Sequence, residues 1–191
     1  MGVCCESNNN KQTTPIIKRY NNNDYVPLIY ANPDSSYRET HSSNQTSDKR
    51  SRTLQRGNIP EMQAMLADFP SSEINEYTFS NSRTLLIEAV IKCPNVSIIK
   101  MVMDKGANID IPELATGNTA LFLSALDLKI EFVEELLKYN PNIKHINKEG
   151  MNIFDFLHFH IFEQRKALGR EVTQKEEELY KKIIELLKKY K

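Results

Sequence analysis

Residues 84–89 read Thr-Leu-Leu-Ile-Glu-Ala, and the same kind of segment returns as Thr-Ala-Leu-Phe-Leu-Ser at residues 119–124 and as Asn-Ile-Phe-Asp-Phe-Leu at residues 152–157. The two offsets are 35 and 33 residues. The stretches after the first two segments also match, since residues 96–110 align with residues 130–144. A period in the low thirties with two helical patterns per unit is typical of a stacked helical solenoid. The sequence therefore predicts an all-α repeat fold.

The loops between the helical patterns resemble those of the ankyrin repeat. Residues 106–110 read Gly-Ala-Asn-Ile-Asp, close to the ankyrin inter-repeat signature, and residues 117–119 read Gly-Asn-Thr, similar to the start of the next unit. Residues 141–143 and 150–152 repeat both features in weaker form. The sequence departs from the family's proline at Leu85, Ala120 and Ile153, and from its histidine at Ile87, Phe122 and Asp155. The resemblance implies a short, divergent ankyrin-like solenoid that recognises proteins.

A tail and four repeat units are predicted along the chain. Residues 1–51 are rich in Asn, Ser, Thr and charge, a composition that does not offset the entropy of ordering, so a disordered tail is expected. The repeat domain is expected over residues 52–191. Its units are about 52–81, 82–116, 117–149 and 150–191. The last unit has an extended first helix and a capping helix over residues 174–189, where Thr173 and Glu176 have the spacing of a capping box.

Composition favours a protein of a reducing, intracellular compartment. Of three cysteines, two are adjacent near the N-terminus and Cys93 stands alone, so neither a disulfide framework nor a zinc ligand set is indicated. Cys93 is predicted to be a buried small hydrophobe rather than a reactive thiol. The 25 basic and 25 acidic residues cancel, which gives no indication of nucleic-acid binding. No secretory signal and no stretch approaching eighteen apolar residues is found.

The first five residues, Met-Gly-Val-Cys-Cys, predict lipidation. Gly2 is the acceptor type for N-myristoylation, and Cys4 and Cys5 are candidates for palmitate. One myristoyl chain binds a membrane only marginally, so a second acyl chain would be needed for stable attachment. Glu6 argues against the motif, which prefers Ser or Thr at that position. The alternative is a disordered start with two incidental free thiols.

The loops that follow the second helix of each unit hold the candidate partner contacts. In ankyrin folds such loops project as fingers and help form a concave face that binds partners, so the resemblance implies protein contacts here. For Ile111 and Leu114 the alternative is packing against the adjacent finger. The candidate contact residues are Ile111, Pro112, Glu113, Leu114, His145 and Lys148.

No catalytic residue, metal site or cofactor is predicted. The sequence has no Gly-rich phosphate loop, His-Glu-x-x-His motif or nucleophile elbow. A metal-binding site made of His158, His160 and Glu163 is poorly supported. On a helix, positions 158 and 160 point about 200° apart, and only positions 160 and 163 share a face. The aromatic residues of this helix are more simply core residues that cover the terminal repeat. They are Phe154, Phe156, Phe159 and Phe162.

These observations predict a non-catalytic, monomeric adaptor that binds a protein partner and is held by acyl chains at the cytoplasmic face of a membrane. An alternative keeps the repeats without the membrane, as a soluble regulator or inhibitor of its partner. A remote alternative is a metal-dependent enzyme that uses His158, His160 and Glu163. The apolar island at residues 25–30, Tyr-Val-Pro-Leu-Ile-Tyr, is an unstructured patch, a short partner motif or a strap that docks on the repeats.

Overall fold

A computed structural model of the chain describes residues 44–79 and 82–190. Within these ranges the secondary structure is helical, with an isolated bridge between Phe79 and Arg83 and no strand. The α-helices are α1 (Asn44–Arg56), α2 (Ile59–Asp68), α3 (Leu85–Lys92), α4 (Ser97–Asp104), α5 (Ala120–Leu126), α6 (Ile130–Leu137), α7 (Ile153–His158), α8 (Gln164–Ala167) and α9 (Gln174–Lys189), with a 3₁₀ turn at Ser71–Glu73 and a π-helical turn at Phe159–Glu163. The predicted helical fold class is confirmed.

The helices form two stacked rows. Helices α1, α3, α5 and α7 contact one another in that order, and so do α2, α4, α6 and α9. Within the units α1 also contacts α2, α3 contacts α4, and α5 contacts α6. The core lies between the rows, because each helix turns its apolar stripe toward its partner. All seven residues of α5 are buried, so the centre of the stack is covered on every side.

Side-chain caps set where several helices begin. Thr84 accepts a hydrogen bond from the backbone N–H of Ile87 at the start of α3, and Asn152 accepts from two backbone N–H groups at the start of α7. Thr173 and Glu176 form the reciprocal capping box of α9. Such caps satisfy N–H groups that have no partner inside the helix. The predicted capping box, and the helix it opens, are confirmed.

Helix α1 extends across the predicted start of the first unit. Helix α1 starts at Asn44, so the predicted boundary between residues 51 and 52 falls inside this helix. Its second half packs largely through polar groups. The Arg50 guanidinium lies 4.2 Å from the centre of the Phe69 ring, and Ser51 donates a 2.8 Å hydrogen bond to Glu88. Among residues 49–56 of the helix, Leu54 is the fully buried apolar anchor. Composition alone therefore assigned this polar segment to the tail.

The extended first helix of the last unit is present but irregular. It runs from α7 through the π-helical turn into α8. Phe156 is buried as predicted, and Phe154 and Phe162 are half-buried. The prediction that Phe159 is a core residue is wrong, since its side chain is 40% exposed. A π turn adds a residue to the helical repeat and shifts the helix face, and Phe159 is its first residue.

Candidate interaction surface

The loops between the two helix rows form the candidate site. In the part of the chain that the structure describes there are three: finger 1 at residues 74–79, finger 2 at residues 107–118 and finger 3 at residues 141–151. Each follows a second-row helix and leads into the next first-row helix. We call the three together the finger row. Their order along the chain is also their order along the stack.

Neighbouring fingers are joined by a repeated hydrogen bond, here called a rung. The backbone N–H of Asn108 donates to Asn75 Oδ1 at 2.7 Å, and the backbone N–H of Asn142 donates to Asp110 Oδ1 at 2.8 Å. Asn75 and Asp110 stand 35 residues apart, at equivalent positions. At the next equivalent position stands Lys144, whose ammonium has no lone pair to accept such a bond. The rungs thus order fingers 1 to 3 and stop at finger 3.

Glu113 is a structural residue of finger 2. Its side chain is buried, with 3% of the residue exposed. The carboxylate accepts hydrogen bonds from Arg83 Nε at 2.8 Å and from Thr116 Oγ1 at 2.6 Å. Glu113 was predicted as a partner contact, and in this structure its carboxylate is buried and paired within the chain. The sequence placed it in a finger but gave no sign of the inward-facing arginine.

A buried ion network connects finger 2 to the first helix. Arg83 also lies 3.9 Å from Glu88, whose side chain is 1% exposed. Glu88 pairs with Lys92 at 2.7 Å and accepts the hydrogen bond from Ser51 of α1. Two carboxylates thus face two cations, which is the arrangement that buried charges require. The network holds α1, α3 and finger 2 in one geometry.

Each finger exposes a large apolar side chain. Tyr77 in finger 1 is 37% exposed, Leu114 in finger 2 is 46% exposed, and Ile146 in finger 3 is 60% exposed. The Tyr77 hydroxyl donates to the carbonyl of Pro112 at 3.1 Å, which places it beside finger 2. Pro112 and the predicted contact residue Ile111 are half-buried. Leu114 was found from the sequence; Tyr77 and Ile146 were missed, although each is an isolated apolar residue in a polar loop.

His145 and Lys148 attach finger 3 to finger 2. His145 Nε2 lies 2.7 Å from the Gly117 carbonyl oxygen, and its ring meets that of Phe122 edge to face at 5.7 Å. The Lys148 ammonium donates to the Leu114 carbonyl, beside the exposed Leu114 side chain. His145 is half-buried and Lys148 is exposed. Of these two predicted contacts, Lys148 has the charged group at the surface.

The structure separates the residues considered for a metal. His160 Nδ1 lies 2.7 Å from Gln164 Oε1, and its Nε2 is 3.8 Å from Glu149. The His158 ring packs on Phe162 instead. Across residues 44–79 and 82–190, no three His, Cys, Asp or Glu side chains are grouped to hold a metal ion. His158, His160 and Glu163, the residues of the metal-dependent alternative, are therefore not grouped as metal ligands.

Cys93 is buried, as predicted from its position between helices. The residue is 1% exposed, and burial raises the pKa of its thiol. A raised pKa lowers the fraction of reactive thiolate. Cys93 therefore acts as a packing residue at the end of α3.

The predicted lipidation sites Gly2, Cys4 and Cys5 lie outside the described residues, as does the apolar island at residues 25–30. None of the helices in the described part of the chain is both long and apolar enough to pass through a membrane.

Stacked helix pairs joined through hydrogen-bonded fingers define a helical-repeat fold. No family model matches the chain. The chain is 40% identical over 60 residues to a putative ankyrin repeat protein of Acanthamoeba polyphaga mimivirus, covering 31% of this chain and 14% of that protein. It is 29% identical over 105 residues to the phosphocholine transferase AnkX of Legionella pneumophila, covering 55% of this chain and 11% of that protein. The similarity to both supports an ankyrin-type repeat and spans a small part of each relative.

Proposed function

We propose that the chain is a non-catalytic protein-interaction module that binds its partner at the finger row. The observation that carries the proposal is the row of exposed apolar side chains, Tyr77, Leu114 and Ile146, on successive fingers. Single exposed apolar residues are common at protein surfaces, but exposed apolar residues on three successive loops that contact one another are a candidate binding site. The apolar tips would be buried on binding, and the surrounding polar groups would form the rim.

The contacts beneath the tips support this function because they make the fingers rigid. The rungs at Asn75 and Asp110 fix the spacing of the fingers, and the Arg83–Glu113 pair fixes the base of finger 2. A loop that is already ordered loses little conformational entropy on binding. More of the free energy of burying Leu114 and Ile146 is then available for affinity.

The module is held at the cytoplasmic face of a membrane by myristate on Gly2 and palmitate on Cys4, Cys5 or both. The support is the sequence of the first five residues and the need for two acyl chains for durable attachment. Attachment would concentrate the partner near the bilayer. A soluble regulator with the same finger row, acting as a monomer on a protein partner, is the alternative if the N-terminus is not acylated.

The binding function is tested by comparing partners recovered with three forms of the full chain. They are wild type, the double variant Leu114→Ser with Ile146→Ser, and the control Leu168→Ser, whose leucine is equally exposed at the end of α8. Quantitative affinity mass spectrometry should show partners lost with the finger variant and retained with the control. Surface changes of this kind should alter the free energy of unfolding by less than about 0.5 kcal/mol. Partners that persist with the finger variant would remove the finger row from the proposal.

The membrane part is tested separately by fractionation and by metabolic labelling with an alkyne-bearing myristate. Wild type should incorporate the label and pellet with membranes, and Gly2→Ala should do neither. The Cys4→Ser, Cys5→Ser variant should keep the label and lose part of its membrane attachment. An unlabelled wild-type chain would instead favour the soluble regulator.

A further inference from the structure

The charges along the finger row change sign from one end to the other. Finger 1 presents the exposed Glu76, and finger 2 presents the exposed Asp110. The other carboxylate of finger 2, Glu113, is buried against Arg83 and does not add to the surface charge. Finger 3 presents Lys144 and Lys148, both exposed. Finger 3 also carries the exposed Glu149, so its two lysines exceed its acidic residues by one, whereas the exposed charges of fingers 1 and 2 are acidic.

The charged groups at the two ends of the finger row also differ in the hydrogen bonds that they already make. Asp110 accepts one backbone hydrogen bond, from Asn142, and its second oxygen keeps further acceptor capacity. The Lys148 ammonium is anchored to the Leu114 carbonyl and retains two more N–H donors. Glu149 is the acidic residue of finger 3, and its carboxylate lies 3.8 Å from His160, on the side of the long last helix. Both ends can thus bind charged groups while the fingers stay in place.

We infer that the finger row binds an extended segment of a partner protein with a fixed polarity: basic residues at fingers 1 and 2, apolar residues on the tips, and acidic residues at finger 3. This inference rests on the proposed function, since it assumes that the finger row is the binding surface. It names the chemistry of the partner segment and the direction in which it lies. Matching charges at both ends would select one orientation, because the reversed segment would bring like charges together.

The spacing of the fingers suits a polyproline-II segment. Packed helices lie about 8–10 Å apart, and α3, α5 and α7 are consecutive neighbours in the first row. A polyproline-II chain rises about 3.1 Å per residue and returns a side chain to the same face every third residue, or about 9 Å. Such a segment would place apolar side chains about three residues apart on successive tips. Its conformation costs little entropy to adopt, which favours tight recognition.

The same surface is poorly suited to a polyanion. Nucleic acid binds through many cationic contacts to its phosphates, whereas Glu76 and Asp110 occupy two of the three fingers. A uniformly basic protein segment would meet Lys144 and Lys148 at the other end. A segment with charges of both signs, separated by apolar residues, fits all three fingers.

The test is a selection from a phage-displayed random linear peptide library on the full chain. Enriched peptides should share apolar residues about three positions apart, with Lys or Arg on one side and Asp or Glu on the other. In fluorescence anisotropy, the best peptide should bind Lys144→Glu with Lys148→Glu about three- to ten-fold more weakly than wild type, as expected for exposed ion pairs. The matched control is Lys166→Glu with Lys182→Glu, which makes the same charge change on exposed positions of α8 and α9 and should bind as wild type.

The outcomes separate this inference from the proposed function. Peptides that need Leu114 and Ile146 but show no charge order, or that bind the charge-reversed variant as well as wild type, would overturn the polarity and leave the finger row as a binding site. If selection yields no peptide whose binding depends on Leu114 and Ile146, the inference of an extended segment fails, and partner recovery with the Leu114→Ser, Ile146→Ser variant decides the proposed function. Charge-ordered peptides that depend on Leu114 and Ile146, and that lose affinity with Lys144→Glu, Lys148→Glu but not with the Lys166→Glu, Lys182→Glu control, would establish the polarity.

Discussion

Fingers 2 and 3 have equivalent places in neighbouring units, but different chemistry holds their bases. Finger 2 is fixed by an ion pair, in which buried Glu113 meets Arg83 at 2.8 Å. Finger 3 is fixed by neutral amides, since the buried Asn147 donates to Asn118 Oδ1 at 2.9 Å and accepts from the backbone N–H groups of Glu149 and Met151 at 3.0 Å. Two equivalent fingers are therefore held in place by different interactions. Removing one partner should destabilise the protein more at the ion pair of finger 2 than at the amide contacts of finger 3.

The largest expected effect follows from breaking the ionic base. Arg83→Leu leaves Glu113 and Glu88 buried without Arg83, and we expect it to lower the free energy of unfolding by about 3–5 kcal/mol. Urea unfolding followed by circular dichroism measures the change. Arg83→Lys should recover part of the loss. Arg56→Leu is the control, because the pair of Arg56 with Glu61 is exposed and contributes about 0–1 kcal/mol at most. Equal losses for Arg83→Leu and Arg56→Leu would show that the buried pair adds nothing.

Breaking the amide base should cost less. Asn147→Ala leaves the Asn118 amide and two backbone N–H groups without their partner, and the expected loss is about 1–3 kcal/mol. The same urea titration gives the value. A loss as large as that of Arg83→Leu would contradict the contrast between the two bases.

Variants at the rung position of two successive fingers form a matched pair with a smaller expected effect on stability. Asp110→Ala removes the acceptor of the Asn142 N–H and should cost about 0.5–1.5 kcal/mol. Lys144→Ala, at the equivalent position one unit later, removes no rung and should leave the stability unchanged within about 0.5 kcal/mol. Asp110→Asn keeps an acceptor oxygen and should lose less than Asp110→Ala. Protection of the Asn142 amide from hydrogen exchange provides a second, local measurement.

The smallest effect concerns the carboxylate of the capping box, and it depends on pH. The pKa of Glu176 is lowered from its ordinary value of 4.5, chiefly by the hydrogen bond from the Thr173 backbone N–H and also by Arg165, against a smaller opposing effect of burial. A lowered folded-state pKa means that the carboxylate stabilises the fold above pH 4.5 and that this contribution is lost as the pH falls through the folded-state pKa. Glu176→Gln should therefore cost about 0.3–1 kcal/mol at pH 7.

This loss should vanish below the folded-state pKa, where wild type is also neutral at this position. Thermal unfolding of both proteins across that acid range tests the sign. A difference that grows as the pH falls would be inconsistent with a lowered pKa. Because Gln also fits a capping box, the variant removes the charge and keeps the hydrogen-bonding shape.

Much of the fold followed from the sequence because it depends on local patterns. The repeat period, the helix of residues 174–189 with its capping box, and the burial of Cys93 each rest on residue types at fixed spacings. The start of α1 did not follow from the sequence, because polar contacts such as that of Ser51 with Glu88 join residues 37 positions apart. The burial of Glu113 also depends on a distant partner, Arg83, and the periodicity of the sequence does not indicate this pairing.

The candidate site was predicted in part for the same reason. Leu114 was identified from its loop, and Lys148 is exposed as a contact residue would be. Tyr77 and Ile146 lie at loop positions whose exposure depends on how neighbouring fingers pack, which spacing does not encode. The π turn likewise reverses the expected burial of Phe159, since it changes the helix face by one residue.

The lysine that ends the rungs also bears on how the protein behaves at high concentration. A loop of another molecule that came to lie beside finger 3 would need an acceptor oxygen at this position to join by the same backbone hydrogen bond. At Lys144 such a loop meets a hydrated ammonium in place of an acceptor oxygen. Exposed edges of β-sheets are protected from uncontrolled pairing by lysine in a comparable way. One change of residue type thus makes finger 3 chemically unlike fingers 1 and 2 at the equivalent position, and leaves it without the acceptor that pairs neighbouring fingers.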